Sequence, residues 1–348
     1  MSSGNRRDPL APWDLSDLEI SPEDSVADVA RTLLRFAVLA PSGHNTQPWR
    51  FAILEDRIDV IADRNRRLAV VDPDDRALVI SVGAAVGTLE VAAHHFGYEA
   101  DVDVLSDPAE PDILASISLR RAASSDHDLF AAIPLRRSTR KPFESRDLEP
   151  ELIAQLKTDV ELFDVLISVI HGEARFPIAE LIAEGDAIQM ANADFRKELV
   201  SWMRPNKSDA NDGIRGYAFG FSDLMSHATP LVIRTFDMGK MQGARDRELA
   251  TGSPALLLLA TRTDDEERWL ATGRALVRVL LRLTANGATA SFLNQPIEVA
   301  ALRSRLAAAA GTSGIPQLLL RAGYGPLIKA EPRRPLEQAL VETKEDQR

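Results

Sequence analysis

Cysteine is absent from all 348 residues. That excludes a disulfide framework, a thiolate nucleophile and any Cys-ligated zinc or iron–sulfur site. Positive charge is in deficit, 41 Lys and Arg against 52 Asp and Glu for a net charge of −11. Such a balance repels nucleic acid and anionic membranes wherever no local basic patch overrides it. The longest strongly apolar run, Pro254–Ala260, is far too short to span a bilayer. The polar stretch Met1–Trp13 carries no signal-peptide core. These absences lead us to expect a soluble cytoplasmic protein with no nucleic-acid, membrane or obligate protein partner. Dinucleotide-binding G-x-G-x-x-G, a G-K-[ST] phosphate loop, a G-x-S-x-G elbow and H-E-x-x-H are also missing.

What is present reads as a globular chain, 45% hydrophobic and 27% charged, long enough for two domains. Helices are predicted from about Val26 to Ala40 and, opened by Asp72-Pro73-Asp74-Asp75, to about Phe96. Trp49–Leu54 and Arg57–Ala62 read as a hairpin, with further strands at Ala100–Leu105 and Ile113–Leu119. A small polar linker, Arg121–His127, divides a first half (1–125) from a second (126–348). In the second half the pattern predicts a helix at Glu149–Asp159, a strand at Phe163–Ile170 and one long helix from Ala174 to about Met203. An irregular stretch, Arg204–Ser222, follows. Then come a strand at Ala255–Thr261, a helix at Asp265–Asn286, a strand at Ala288–Leu293, a helix at Ile297–Ala310 and a strand at Gln317–Arg321. Both chain ends read as frayed.

The halves echo each other. Gly83 and Gly97 bracket one long helix and Gly273 and Gly287 another, fourteen residues apart in both cases. Gly83-x-x-x-Gly87 inside the first reads as close helix packing. Arg274, Arg278 and Arg282 form one stripe, expected to be a solvated face. Adjacent His94 and His95 diverge on a helix and make poor metal geometry.

Two segments carry chemistry. Pro41-Ser42-Gly43-His44-Asn45-Thr46-Gln47-Pro48-Trp49 offers hydroxyl, amide and close-approach backbone groups beside a Trp. It can equally be a plain helix-to-strand turn with Trp49 as a core anchor. Arg136-Arg137-Ser138-Thr139-Arg140 concentrates cations that can fork onto phosphate oxygens, or it can be a solvated basic patch. A second basic pair, Arg333-Arg334, precedes Pro335.

On these residues the chain resembles the nitroreductase-like FMN proteins. Ala40–Phe51, APSGHNTQPWRF, is similar to their APS-x-x-N-x-QPW-x-F segment, and Arg136–Arg140 to their RRS-x-R motif. Gly287–Gln295 is similar to their late glycine-plus-strand segment, and Arg333–Leu336 to their R-x-P-L element. Ordinary members place both motifs in each unit and share two sites across a dimer. Here APS-x-x-N stands only in the first half and RRS-x-R only in the second, which resembles the fused, pseudo-dimeric Acg-like branch. The resemblance implies an α+β fold of two nitroreductase-like halves, each a sheet flanked by helices, with one FMN between them. It implies that Arg136, Arg137, Ser138, Arg140 and Arg333 hold the phosphate and ribityl end. Pro41, Ser42, Gly43, His44 and Asn45 would meet the ring or ribityl chain. Backbone groups near Leu293, Asn294 and Gln295 would face flavin N5. The implied activity is electron transfer from NADPH or NADH to a nitroaromatic- or quinone-type acceptor. The same branch implies an alternative, FMN storage beneath a lid, for which Arg204–Ser222 is the candidate.

Overall fold

The structure, a computed structural model, describes residues 8–105 and 107–341. In chain order its main helices and strands are α1 (Val26–Ala37), β1 (Trp49–Ile53), β2 (Ile58–Ala62), α2 (Arg76–His95), β3 (Tyr98–Val104), β4 (Ile113–Arg121) and α3 (His127–Ala132). The second half continues with α4 (Pro150–Glu161), β5 (Leu166–Ile170), α5 (Arg175–Ala191), α6 (Ala193–Ser201), β6 (Met203–Arg204), β7 (Ile214–Arg215), α7 (Asp223–Thr235) and α8 (Gly239–Thr251). It closes with β8 (Ala255–Thr261), α9 (Glu266–Ala285), β9 (Thr289–Phe292), α10 (Gln295–Glu298), α11 (Ala300–Ala310) and β10 (Ile315–Gly323).

Two four-stranded antiparallel sheets run in the orders β1-β2-β4-β3 and β5-β8-β10-β9. Numbered within each half, both are first-second-fourth-third. In each, a 20-residue helix (α2 or α9) links the second strand to the third. The duplication suggested by the glycine spacing is therefore real at the level of topology, and the fold is α+β with two fused halves. The halves differ in their insertions. A tight hairpin joins β1 to β2, whereas residues 171–254 separate β5 from β8.

The halves meet where α2 crosses α9. An ideal Cβ on Gly83 would lie 2.2 Å from the Leu270 carbonyl oxygen, and one on Gly273 would lie 2.1 Å from that of Ile80. Only glycine lets the two backbones come this close. Helix α2 is long and apolar enough to cross a membrane, yet 89% of that window is buried inside the protein, as a helix apolar all round must be in a globular fold. Downstream of β10 the chain returns to the first half. The Phe51 amide donates to the Ala339 carbonyl and the Val341 amide to that of Phe51, both at 2.8 Å. This covers the free edge of β1.

Several expectations need correcting. The long helix ends at Ala191, because Asn192 leaves helical ψ (115°) and its side chain caps α6 by accepting from the Asp194 amide at 2.9 Å. Helices α7 and α8 occupy a region for which no element was predicted. The Arg274/Arg278/Arg282 stripe is not a solvated face. Arg274 pairs with Glu90 at 2.8 Å, Arg278 with Asp126 at 2.8 Å and Asp159 at 3.2 Å, and Arg282 with Asp159 at 2.8 Å. It ties α9 to α2, to α4 and to the residue that opens α3. Burial alone would raise the Asp126 carboxyl, but His94 and Arg278 together hold it well below the usual carboxylate range. The N-terminal stretch from Asp8 onward is not frayed, since Trp13 docks through its Nε1 on the Glu331 carbonyl at 2.9 Å. Residues 1–7 and 342–348, the outermost parts of that expectation, lie outside the described residues.

The crossing point yields a test. Gly273→Ala should lower the unfolding free energy in urea by on the order of 3 kcal/mol, the range for overpacked sites. Undiminished stability would mean that the helices can part freely.

Candidate cofactor site between the two halves

Between Ala37 and β1 the chain makes an unusual turn. His44 (φ 49°), Asn45 (φ 55°) and Gln47 (φ 52°) all adopt left-handed backbone, which non-glycine residues seldom do and which needs surrounding structure to hold it. That structure is visible. Ser42 Oγ accepts from the Gln47 amide at 2.9 Å. Asn45 Nδ2 donates to the carbonyls of Gly213 (3.1 Å) and Pro332 (3.0 Å), while its Oδ1 accepts from Arg333 Nη1 at 2.9 Å. Gln47 Nε2 donates to the Asn211 carbonyl at 2.8 Å, and Gln47 Oε1 accepts from the Arg334 amide at 2.7 Å. The strained turn is a socket for two distant segments, 211–213 and 332–334.

The basic motif reaches the same place from the second half. The Thr139 amide donates to the Ala290 carbonyl at 3.2 Å, which lays the motif along the edge of β9. Arg321 Nη2 donates to the carbonyls of Thr139 and Lys141, both at 2.9 Å. Arg136 and Arg333, 5% and 4% exposed, both donate to the Leu39 carbonyl, at 3.2 and 3.4 Å. The Arg137 and Arg333 guanidiniums lie 4.2 and 5.2 Å from the Trp13 ring centre, within cation–π range.

These elements enclose two adjoining cavities. The smaller, about 100 Å³, is lined by Arg136, Arg137, Arg140, Lys329 and Arg333, with Glu331 as the one carboxylate. The larger, about 330 Å³, is lined by Gly43, Ser81 of α2, Leu276 of α9, Phe195, Phe219, Phe221 and the 293–295 segment. Pro41, Ser42, His44, Arg140, Ile214 and Phe292 line both, so the two adjoin along these residues. Among the described residues none of Arg136, Arg137, Arg140 and Arg333 has an ion pair, and the Nε atoms of Arg137 and Arg333 are buried without a hydrogen-bond partner. Burial, then repulsion from Arg333 and Arg137, pushes Arg136 well below its ordinary pKa. Burial pushes Arg333 down to about 10. Burial, with Arg140 nearby, lowers His44 to about 4 and keeps the imidazole neutral. A polyanion placed here would relieve both the repulsion and the unmet donors.

The chain has relatives among known proteins. No family model matches the chain. A Mycobacterium tuberculosis H37Rv protein, provisionally named NAD(P)H nitroreductase Rv3131, is 30% identical over 321 residues, spanning 90% of this chain and 91% of that one. The chain belongs to the nitroreductase family. Its Acg-like character is seen in the acg product of the same organism, provisionally named in the same way, at 29% identity over 330 residues and 92% and 98% coverage. PigM of Serratia sp. ATCC 39006, also named provisionally as an NAD(P)H nitroreductase, is 23% identical over 320 residues, covering 86% of this chain and 89% of that one. Among solved structures, the FMN-dependent nitroreductase NfnB from Mycobacterium smegmatis in complex with NADPH aligns at 16% identity and TM-score 0.40, over 62% of this chain and 98% of that one. A nitroreductase-like family protein from Bacillus cereus aligns at 16% identity and TM-score 0.36, over 64% and 100%.

Within this nitroreductase-family chain the nominated residues take different positions. Pro41, Ser42, Gly43, His44, Arg136, Arg137, Ser138, Arg140 and Arg333 all line the joined cavities. Asn45 lines the smaller one, but both of its donor hydrogens are spent on Gly213 and Pro332, so it acts as a positioning residue and not as a ligand donor. The Leu293 amide is consumed by the Leu319 carbonyl at 2.9 Å, and Asn294 Oδ1 accepts from the Leu319 amide at 2.9 Å. That leaves the Asn294 and Gln295 amides, which open the one-turn α10, where N–H groups have no acceptor within the helix. Sequence reasoning missed Trp13, Lys329, Glu331, Asp186 and Asp246 as cavity residues. A Trp among prolines near the start of the chain was the one available signal.

Proposed function

We propose that the joined cavities bind one FMN, and that the chain is a nitroreductase-type oxidoreductase. In this reading electrons pass from NADPH or NADH to a small nitroaromatic- or quinone-type acceptor. The observation that carries the proposal is the charge of the smaller cavity, five cations around one carboxylate, joined to a larger chamber with apolar walls and polar edges. Relatives named as NAD(P)H nitroreductases support it.

FMN supplies two-electron chemistry when bound; the chain supplies placement. Arg136, Arg137, Arg140 and Arg333 would hold the phosphate, with Ser138 beside them. Neutral His44 and Ser42 would offer uncharged hydrogen-bonding groups along the middle of the site. The Asn294 and Gln295 amides would serve the redox edge, where aimed donors stabilise developing negative charge. Because both motifs come from one chain, the site needs no partner subunit. Dependence on NAD(P)H fits a cytoplasmic setting.

A second reading, FMN storage, draws support from the segment above the larger cavity. Residues 204–222 are anchored by Asn45 and Gln47, by Tyr217 Oη donating to the Ala330 carbonyl at 2.7 Å, and by Arg66 paired with Asp212. Phe219 lies under the Arg140 guanidinium at 4.9 Å. So pinned a cover shields whatever lies beneath it.

Absorption spectroscopy tests the site. The Arg136→Ala/Arg140→Ala double variant should purify without the visible flavin bands that the parent shows, since the phosphate loses fixed counter-charge. Unchanged occupancy would overturn the assignment. Anaerobic addition of NADPH separates the two readings. Prompt bleaching favours the reductase. Slow bleaching that Asn45→Ala accelerates tenfold or more favours the pinned cover, and an equally slow variant would rule the cover out as the gate.

A further inference from the structure

The larger cavity holds a chemical feature that phosphate binding does not use. Asp186 on α5 and Asp246 on α8 both line it, at 4% and 8% exposure. Gln295 Nε2 donates to both, at 3.1 Å to Asp186 Oδ1 and 3.0 Å to Asp246 Oδ2, and Gln242 adds a bond to Asp246 Oδ2 at 3.0 Å. Two glycines permit this closeness. An ideal Cβ on Gly185 would lie 2.8 Å from Gln295 Cβ, and one on Gly243 would lie 2.8 Å from the Ala183 carbonyl oxygen.

No cation neutralises the pair at ion-pair distance among the described residues. Arg245 of α8, Arg140 and Arg321 of β10 act on Asp246 from farther away, and Glu298 of α10 adds negative charge near Asp186. Glu298 is itself half-buried and accepts from Gln189 Nε2 at 2.7 Å. Asp186 Oδ2 and Gln295 Oε1 are buried with no hydrogen-bond partner among the described residues. An orphan carboxyl oxygen on a cavity wall is unsatisfied as a carboxylate, whereas a protonated carboxyl can donate to its neighbour or to a ligand. Burial, then repulsion from Asp246, pushes Asp186 up to about 8, and burial pushes Asp246 upward too. Two carboxyls sharing a buried site do not both ionise readily.

We infer that the Asp186–Asp246 pair is a one-proton acid facing the larger cavity, which protonates the oxidised acceptor as that acceptor is reduced. The inference rests on the electron-transfer reading above. A quinone-type acceptor that takes up a hydride equivalent, derived from the reduced nicotinamide, is left as an oxyanion. The Asp186 O–H bond then breaks, the proton moves to that oxygen and the bonding pair stays on the carboxylate. One hydride equivalent and one proton together make the hydroquinone. Water from bulk solvent restores the proton of the pair.

Cofactor-free protein reads the acid directly by infrared titration. From about pH 6 to about pH 9 the parent should lose a protonated-carboxyl band that Asp186→Asn lacks, and Asp246→Asn serves if the first variant does not fold. Stability gives a second readout. A raised carboxyl contributes stability that is fully present below its ordinary pKa of about 4 and lost as pH rises through the folded value. The parent should therefore weaken toward about pH 8, and Asp186→Asn should flatten that slope. With FMN occupancy equal to the parent's, Asp186→Asn should reduce a quinone on the order of 10²-fold more slowly, with the alkaline limb of the pH profile gone. A parent without a protonated carboxyl at neutral pH, or a variant with the parent's rate and profile, would overturn the inference. A parent that shows the band and the slope but binds no FMN would overturn the electron-transfer reading, and the acid's catalytic role with it, while the shared proton stood.

Discussion

Buried positive charge without matching negative charge is the constraint on which the rest of this structure depends. Arg136, Arg137, Arg140 and Arg333 converge on one small cavity that contains a single carboxylate, Glu331. Guanidiniums do not lose their protons in proteins, so burial and mutual repulsion are borne as a standing cost. Part of it is offset by main-chain carbonyls, notably Leu39, and by the Trp13 ring. Those neutral partners leave two Nε atoms unmet. In the proposed reading, the phosphate dianion of FMN would supply the missing negative charge.

The glycine-dependent crossing of α2 and α9 brings the charged end together with its other walls. Each half brings its sheet and helix to the seam, and the second half also sends its C-terminal stretch across it. The second half contributes the basic motif along β9, and the C-terminal stretch carries Arg333 and Arg334 back against the first half. The left-handed turn at His44–Gln47 fixes that crossing, because its side chains bind the returning tail and the covering segment at once. The turn, residues 211–213 and residues 332–334 thus share one hydrogen-bond network.

Much of this was legible in the residues. The fourteen-residue glycine spacing in both halves corresponds to paired core helices, because close crossing and left-handed termination each demand glycine at a set position. The division of Pro41–Trp49 and Arg136–Arg140 between the halves corresponds to one shared cavity. Features that depend on distant partners were not legible. The arginine stripe of α9 reads as solvated until Glu90, Asp126 and Asp159 arrive from three other segments. The break at Asn192 was hidden because a capping Asn inside an apolar pattern looks like any polar helix residue. Asp186 and Asp246 look like ordinary surface acids in sequence, and only the packing of α5 on α8 makes them neighbours.

Calorimetric titration of cofactor-free protein with FMN and, separately, with riboflavin tests the central claim most directly. The two ligands share the ring and ribityl chain and differ only in the phosphate. If uncompensated guanidiniums define the site, FMN should bind at least 10²-fold more tightly, as two or more charge-assisted bonds would give. Equal affinities would mean that the basic cavity is not where the ligand's charge is held, and would contradict this account.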